Sequence, residues 1–463
     1  MTRRRKAWLA LPVALVLVAS GCGRSSSKSS GTTGGGGTTA TTSSGACSKE
    51  PLQATDVGVT ATDITVEVLA DVGSPLAPGL FQGNFDAMNA FATYVNAHGG
   101  IGCRKLIVKQ WDTKLSPTES KNGLIDACKN AFALVGNNAL FNPDVSPMTG
   151  CVDKTGAATG LPDISALAND INEQCASTHY SVQGISEHCP ITTGQPRTLT
   201  AMQGVTKYYL QHNPGGLHGV YLVPGDLPTT VQSATYLIAA QVQAGVSFDA
   251  TPKVSGADAQ PAYTPRIQVL KAKGGNYVYD GSNDIAFIRM RKEAVAQGVD
   301  SVKLWACSLA CYTKAYVAQG GSTVDGTFTW MQYLPFEEAS LNPEEQAYIS
   351  SVGADKVDSF GAQAWQAAGA FRQVVNDIVA KSGPNAITRT ALLAGLKGLT
   401  AFTDNGWMGE KDLRGFSPCY VILQLQAGKW VRISPTKPGT FDCTPSNLTT
   451  VTLDPAAEAA KIK

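Results

Sequence analysis

Short apolar runs alternate with segments of helical periodicity along most of this chain. The run DITVEVLAD (63–71) is followed by GLFQGNFDAMNAFATYVNAHGG (79–100), where Phe81, Phe85, Met88, Ala92 and Val95 recur every three or four residues. That spacing places them on one helix face. Further strands are predicted at KLIVKQW (105–111), AFALVG (131–136) and PDIS (162–165), and SPTES (116–120) is typical of a helix start. Alternating strands and helices predict an α/β fold with parallel sheets covered on both faces.

The same cycle restarts near residue 197, which predicts a second lobe of the same kind. Its predicted strands are GVYLV (219–223), NYVYD (276–280) and VKLWA (302–306), and its helices are 229–245 and 283–298. A long helix is predicted at 357–382, and CYVILQLQAGKWVRI (419–433) predicts a hairpin that turns at Gly428. More than 400 residues follow Cys47, which exceeds what one hydrophobic core normally serves. We expect a first lobe at 61–192 and 326–410, a second lobe at 193–325 and 411–445, and a tail at 446–463.

The N-terminus has the pattern of an export signal. Arg3, Arg4, Arg5 and Lys6 precede an apolar run of roughly 15 residues, which is too short to span a membrane that needs about 20. Ala19-Ser20-Gly21-Cys22 resembles the lipobox of bacterial lipoproteins, which implies a signal peptide at 1–21 and a lipidated Cys22. The alternative is an ordinary cleaved signal beside a chance cysteine. The segment 22–46 is almost entirely Ser, Thr and Gly, which predicts a flexible tether.

The cysteines suit an exported protein in an oxidising compartment. Eleven are present, and ten remain if Cys22 carries lipid, an even number that allows five disulfides. Proximity favours Cys175–Cys189, Cys307–Cys311 and Cys419–Cys443. Cys103–Cys128 would join a strand start to a helix end, and Cys47–Cys151 remains by subtraction. His179 and His188 lie near the first of these pairs, so a metal cluster is the alternative there, but the compartment favours the disulfide and we expect no metal.

Composition and motifs exclude several function classes. The net charge of +1 gives no reason to expect nucleic-acid binding. The sequence contains no G-x-S-x-G, H-E-x-x-H or Walker A motif. We therefore expect a protein that is not an enzyme and needs no cofactor.

Three segments in order carry a family resemblance. GLFQGNFDAMNAFATYVNAHGGIGCRKLIV, AYTPRIQVLKAKGGNYVYDG and FGAQAWQAAGAF resemble the Leu/Ile/Val-binding branch of the substrate-binding proteins of ABC importers. The resemblance covers about residues 61 to 435. It implies the type I periplasmic binding fold, two doubly wound lobes joined by three crossovers with a ligand between them. It also implies a membrane permease as partner and an anchored, extracytoplasmic location. A sensor of the same fold that signals without transport is the alternative.

Candidate ligand contacts are the residues at the strand ends, because open parallel sheets bind ligands there. In the first lobe these are Ser74, Phe81, Asn137, Asn138, Ala166 and Leu167, and in the second they are Asp226, Asp280, Ser308 and Trp330. The asparagines could instead cap loops, the aspartates could cap helices, and Trp330 or Tyr333 could pack beneath the hinge. The segment ACSLAC (306–311) has no acid where amino-acid-binding members offer one. The expected ligand is therefore a small polar molecule of open identity, with amino acids, amides, carboxylates and aromatic compounds all remaining.

Overall fold

The computed structural model describes residue 47 and residues 50–75, 78–192 and 194–462. Two large β-sheets and one two-stranded sheet organise these residues. The predicted signal peptide, Cys22 and the tether lie outside these described residues. Among the described helices, none combines the length and the apolar character needed to cross a bilayer.

The first sheet is entirely parallel, with strand order β2-β1-β3-β4-β5. Its strands are β1 (Asp63–Ala70), β2 (Lys105–Asp112), β3 (Ala133–Val135), β4 (Asp163–Ser165) and β5 (His179–Ser181). The helices between them are α1 (Gln82–Ala97), α2 (Pro117–Asn130), α3 (Ser146–Thr149) and α4 (Ile171–Gln174). The predicted apolar face of α1 is buried along its whole length, and the side chain of Ser116 caps α2 as expected.

The second sheet begins after the first crossover and follows the order β14-β13-β12-β11-β10-β7-β8, with β9 also paired to β7. Strand β6 (Arg197–Met202) comes first after the crossover and belongs to a separate two-stranded sheet. The elements that follow it, up to the second crossover, are α5 (Gly204–Gln211), β7 (His218–Pro224), α6 (Pro228–Ala244), β8 (Ser247–Ala250), β9 (Lys253–Val254), α7 (Thr264–Lys273), β10 (Tyr277–Asp280), α8 (Asp284–Ala296), β11 (Leu304–Cys307), α9 (Lys314–Gly320) and β12 (Thr327–Met331). Strands β7 to β12 pair in parallel.

The chain then returns to the first lobe and crosses over a third time. The returning helices are α10 (Pro343–Val352), α11 (Ser359–Ser382) and α12 (Arg389–Gly398), and α11 packs against α1, β3 and β4. The final elements are β13 (Val421–Gln426), β14 (Lys429–Ser434), β15 (Leu448–Leu453) and α13 (Pro455–Lys461). Two doubly wound lobes joined by three crossovers confirm the predicted fold class.

Two predicted boundaries differ from the structure. The return to the first lobe was expected at residue 326, but β12 is hydrogen-bonded between β11 and β13, so the chain leaves the second sheet after Met331. The predicted tail at 446–463 contains structure, since β15 pairs antiparallel with β6 and α13 packs on α6.

Five disulfides close loops in the described residues, and three of them match the prediction: Cys175–Cys189, Cys307–Cys311 and Cys419–Cys443. The predicted pairs Cys103–Cys128 and Cys47–Cys151 are wrong, because the bonds join Cys47 to Cys103 and Cys128 to Cys151. The reason is topological. Helix α2 connects β2 to β3, and β1 lies between these strands, so the end of α2 is displaced from the start of β2 by two strand spacings, about 10 Å.

Candidate ligand-binding cleft

The two lobes contact each other at the carboxyl ends of their strands. Thr229, in the first turn of α6, donates its hydroxyl to the carbonyl oxygen of Leu140, which follows β3, at 3.1 Å. At a second contact, the hydroxyl of Ser359 at the start of α11 lies 3.3 Å from the carbonyl oxygen of Leu309 and 3.2 Å from that of Tyr312. The loops after β3 and β11 therefore lie between the lobes, where a shared ligand would be held.

Asp71 fixes the first-lobe side of this cleft. One carboxylate oxygen accepts from the hydroxyl of Thr113 at 2.5 Å and from the backbone N–H of Leu115 at 2.7 Å, and the other accepts from the N–H of Leu140 at 2.8 Å. Burial raises the pKa of Asp71, although these hydrogen bonds oppose the rise. One side chain thus ties the end of β1 to the loops that follow β2 and β3.

The adjacent residues Asn137 and Asn138 have different surroundings. The amide oxygen of Asn137 accepts from the N–H of Leu69 at 2.8 Å, and its amide nitrogen donates to Asp163 at 2.9 Å. Asn138 is fully buried, and within the described residues neither its amide oxygen nor its amide nitrogen has a hydrogen-bond partner. The side chain of Asn137 therefore links neighbouring strands, whereas the side-chain amide of Asn138 can still form hydrogen bonds with another molecule.

Two of the other first-lobe candidates, Ala166 and Leu167, contact Asn137. The backbone N–H groups of Ala166 and Leu167 both lie within hydrogen-bonding distance of the carbonyl oxygen of Asn137, at 2.9 and 3.3 Å. Phe81 is buried and packs edge-to-face on Phe360, with ring centroids 4.9 Å apart. Ser74 is also buried, beside the end of β1. The structure thus brings Asn137, Ala166 and Leu167 into direct contact.

In the second lobe, Asp280 and Ser308 are hydrogen-bonded to each other, and Asp226 does not take part in this contact. The N–H of Ser308 donates to the carbonyl oxygen of Asp280 at 2.8 Å, and the carboxylate of Asp280 accepts from the N–H and hydroxyl of Ser282 at 3.1 and 2.5 Å. Burial raises the pKa of Asp280 to about 7. Asp226 is exposed on the loop after β7.

Trp330 and Tyr333 both take part in packing. The indole N–H of Trp330 lies 3.5 Å from the hydroxyl of Tyr279, whose ring stacks on that of Tyr221 at 5.0 Å. This aromatic layer covers the sheet face beneath α5 and α6. Tyr333 is buried at the second crossover, edge-on to Trp407.

A small cavity between the lobes has a lining that strand-end reasoning missed. Its volume is about 20 Å³, and its lining residues are Asn169, Ile171, Gln174, Glu187, Arg197, Thr229, Gln232, Ser233 and Tyr236. A single water needs about 10–15 Å³ of such volume. A solute of amino-acid size can therefore enter only if the lobes separate.

An ion pair at this cavity is only half satisfied. Arg197 contacts one carboxylate oxygen of Glu187 at 2.9 Å, while within the described residues the other carboxylate oxygen and the Nε of Arg197 are buried without a partner. Burial raises the pKa of Glu187 to about 7, and the charge of Arg197 opposes that rise. The pair offers one hydrogen-bond acceptor and one donor to a ligand.

The cavity spans the first crossover and both lobes. The hydroxyl of Ser186 donates to that of Tyr236 on α6 at 3.0 Å, and the amide oxygen of Gln174 accepts from the N–H groups of Ser186 and Glu187. The only sequence signal for Glu187 and Arg197 is a pair of opposite charges flanking the predicted crossover. Neither residue lies at the carboxyl end of a parallel strand.

Two lobes whose strand ends face each other across polar, partly unsatisfied side chains define a ligand-binding protein of the type I periplasmic binding fold. A family model described as periplasmic binding protein matches residues 63–429, and the chain belongs to that family. A search of curated proteins gives no match.

Solved structures agree on the fold. A leucine-binding protein, LivK, from Thermotoga maritima aligns with 80% of this chain and 98% of its own, at 12% identity and a TM-score of 0.58. A fatty acid ABC transporter substrate-binding protein from Thermomonospora curvata covers 83% and 97%, at 15% identity and 0.61. The branched-chain amino acid transporter protein LivJ from Streptococcus pneumoniae, in complex with isoleucine, covers 80% and 100%, at 12% identity and 0.57.

Proposed function

We propose that this chain is the extracytoplasmic solute-binding protein of an ABC importer and that it captures a small polar ligand between its lobes. The observation that carries the proposal is a set of unsatisfied polar atoms: one oxygen of Glu187 and the Nε of Arg197 at the cavity between the lobes, and the amide of Asn138 beside the end of β3. A buried polar group without a partner costs about 1–3 kcal/mol. A ligand that enters when the lobes are further apart and supplies these partners recovers that cost, and it favours the arrangement of the lobes that encloses it.

The chemistry of the cleft supports a ligand with both donors and acceptors. Glu187 and Arg197 present opposite charges, and Asn138 presents a neutral amide. The segment 306–311 supplies no acid, and its two cysteines are joined in a disulfide. An amino acid, an amide or a related small polar molecule fits this set. The similar structures are named for leucine, isoleucine or fatty acid. Sequence identities of 12–15% are too low to assign any of these ligands to this chain.

A copurified solute provides the direct test. Protein purified from its natural producer is denatured, the released small molecules are identified by mass spectrometry, and each candidate is titrated into stripped protein by calorimetry. We expect one equivalent of a small polar solute to bind and to raise the melting temperature with concentration. Binding of a fatty acid with no binding of amino acids, amides or small carboxylates would refute the polar ligand class while leaving the family assignment intact.

The proposed location places the protein on the outer side of the cytoplasmic membrane, held by lipid at Cys22 and facing a permease. The short apolar run ending at Ser20, the cysteine after it and the Ser/Thr/Gly tether support this proposal. Several acyl chains on one residue give stable anchoring, since each buried CH₂ contributes about 0.8 kcal/mol.

Cys22→Ala should release the protein from the membrane fraction, because the tether has no apolar surface of its own. Ser26→Ala, four residues further on, is the matched control and should remain anchored. Fractionation after a carbonate wash measures the difference. A Cys22→Ala protein that stays with the membrane would contradict the lipoprotein assignment.

A further inference from the structure

A buried acid–histidine cluster lies in the first lobe, below its strand ends. Asp163 on β4 and His179 on β5 are register partners, and the Nδ1 of His179 lies 2.6 Å from the carboxylate of Asp163. Glu173 on α4 completes the cluster. All three side chains are buried, and one ligand atom from each lies within 4.8 Å of those of the other two.

The cluster contains donor atoms that nothing in the described residues satisfies. One carboxylate oxygen of Glu173 is buried and has no hydrogen-bond partner, and the same holds for the Nε2 of His179. Asn142 neighbours Glu173, and its amide oxygen is likewise buried without a partner. The unsatisfied oxygen atoms of Glu173 and Asn142 lie in one buried region, and they point to a ligand that accepts lone pairs.

The charges around Glu173 are also unbalanced. Burial raises the pKa of Glu173 well above its usual value, and the nearby acids Asp163, Asp170 and Asp71 add to that rise. Arg197 lies near Asp170 but is paired with Glu187, and Arg414 donates to the carbonyl oxygens of Ala176 and His179. Buried acids that outnumber their basic partners must be neutralised by protons or by a cation.

We propose that Asp163, Glu173 and His179 bind one divalent transition-metal cation of the Zn²⁺ or Mn²⁺ class, as a structural site of the first lobe. Two carboxylate oxygens and one imidazole nitrogen are a ligand set that suits these ions, with an oxygen such as that of Asn142 or a water completing the coordination. A neutral His179 binds through Nδ1 once its single N–H proton moves from Nδ1 to Nε2, and the proton on Glu173 leaves to solvent when that carboxylate binds. The histidine that the sequence placed among cysteines would thus bind metal with carboxylates, because those cysteines are joined as Cys175–Cys189.

The position of the cluster gives the cation a structural consequence. Glu173 lies on the four-residue helix α4, and the next residue, Gln174, accepts hydrogen bonds from Ser186 and Glu187 at the interlobe cavity. A cation that joins β4, β5 and α4 would hold that helix, and with it one wall of the cavity, in place.

The test uses mature protein made without a histidine tag and stripped with a chelator. ZnCl₂ and MnCl₂ are titrated separately by calorimetry at pH 7.5 and 5.5, and metal content is measured after gel filtration. We expect one equivalent per chain, a higher melting temperature with metal, and at least tenfold weaker binding at pH 5.5 because protons compete for the ligands.

Three variants locate the site. Glu173→Gln and His179→Gln should weaken binding at least 100-fold. Glu345→Gln is the control, because Glu345 is also a fully buried first-lobe carboxylate without a partner among the described residues, yet it is not part of this cluster.

Stripped wild-type protein that retains less than a tenth of an equivalent of either metal would overturn the proposal. So would Glu173→Gln binding metal as wild type does, since the metal would then lie elsewhere. If the variants do not fold, the stoichiometry and pH dependence of the wild-type protein decide the matter.

Discussion

Asn137 and Asn138 follow β3 and should have different roles. The side chain of Asn137 makes two hydrogen bonds, whereas that of Asn138 has no partner among the described residues. Asn137→Ala removes the partners of the Leu69 N–H and of an Asp163 oxygen, both buried, so the free energy of unfolding should fall by about 2–4 kcal/mol. Asn138→Ala removes an amide that has no partner among the described residues, so it should cost much less stability. If the Asn138 amide contacts ligand, that variant should instead bind at least tenfold more weakly.

Urea unfolding and ligand titration of the two single variants make this comparison. A double variant would be uninformative, because the stability loss at Asn137 would mask a binding effect at Asn138. Equal stability losses with unchanged affinity in both variants would move the ligand away from the end of β3.

The carboxylate of Glu187 makes stability depend on pH in a predictable direction. Its pKa is about 7 in the folded protein against 4.5 as the ordinary value, so the folded state binds more protons between these pH values. Stability must therefore fall as pH rises from about 4.5 to about 7, by up to about 3 kcal/mol for this group. Glu187→Gln removes that titration while leaving Arg197 without its ion pair.

We therefore expect the stability of Glu187→Gln relative to wild type to improve steadily as the pH is raised from 5 to 8. Urea unfolding of both proteins at several pH values measures the difference. Two stability curves that run parallel over this range would show that Glu187 keeps an ordinary pKa.

At the scale of elements, the sequence predicted the helices and strands whose own residues show a regular apolar pattern. Helix α1 has a regular apolar face, and β1, β7 and β10 are apolar runs bounded by turns. Strands β5, β6, β8, β9, β12 and β15 were missed. HYS in β5 is too short to show a period, and only half of the residues in RTLTAM (β6) and LTTVTL (β15) are apolar. The last two are strands because they pair with each other across almost 250 residues, a partnership that no local pattern reveals.

The disulfides show the same limit. Cys175–Cys189, Cys307–Cys311 and Cys419–Cys443 were predicted correctly. Cys128–Cys151 was missed although its separation of 23 residues is shorter than the 24 of Cys419–Cys443, because the pairing of Cys47, Cys103, Cys128 and Cys151 depends on strand order, which the sequence did not provide.

Peptide mapping of unreduced protein should recover Cys47–Cys103 and Cys128–Cys151, and thiol titration of unfolded, unreduced protein should read near zero. Replacing both Cys128 and Cys151 by serine should cost about 3 kcal/mol, since this bond closes a loop of 23 residues. A cross-linked peptide that contains Cys103 and Cys128 would contradict the described arrangement.

At the scale of the whole molecule, the cleft residues come from segments that only the fold brings together. Glu187 and Arg197 flank the first crossover, Tyr236 lies on α6 and Asn138 follows β3. That the strand ends form the ligand site stays a prediction from the sequence, and it follows from parallel topology. The sequence could not indicate which crossover residues fill the space between the lobes, since that depends on how far the lobes close.

Closure itself can be tested at the contact between Thr229 and Leu140. The hydroxyl of Thr229 donates across the cleft at 3.1 Å, so Thr229→Val keeps the shape of the side chain and removes a bond that exists only when the lobes meet. A hydrogen bond contributes about 1 kcal/mol, so the ratio of closed to open protein should fall about fivefold, and ligand affinity should fall by up to a similar factor. The neighbouring Thr230→Val is the control, because the Thr230 hydroxyl bonds to Pro224 and Leu227 within its own lobe.

Small-angle scattering with and without ligand gives the readout. Wild type and Thr230→Val should show a smaller radius of gyration when ligand is bound, and Thr229→Val should need more ligand to reach the same decrease. A ligand shifts the lobes only if it binds the closed state better than the open one, so affinity and closure must weaken together. If Thr229→Val binds ligand with wild-type affinity and shows an unchanged scattering response, the contact plays no part in closure. If a tightly bound ligand leaves the wild-type scattering curve unaltered, closure is excluded as the binding mechanism.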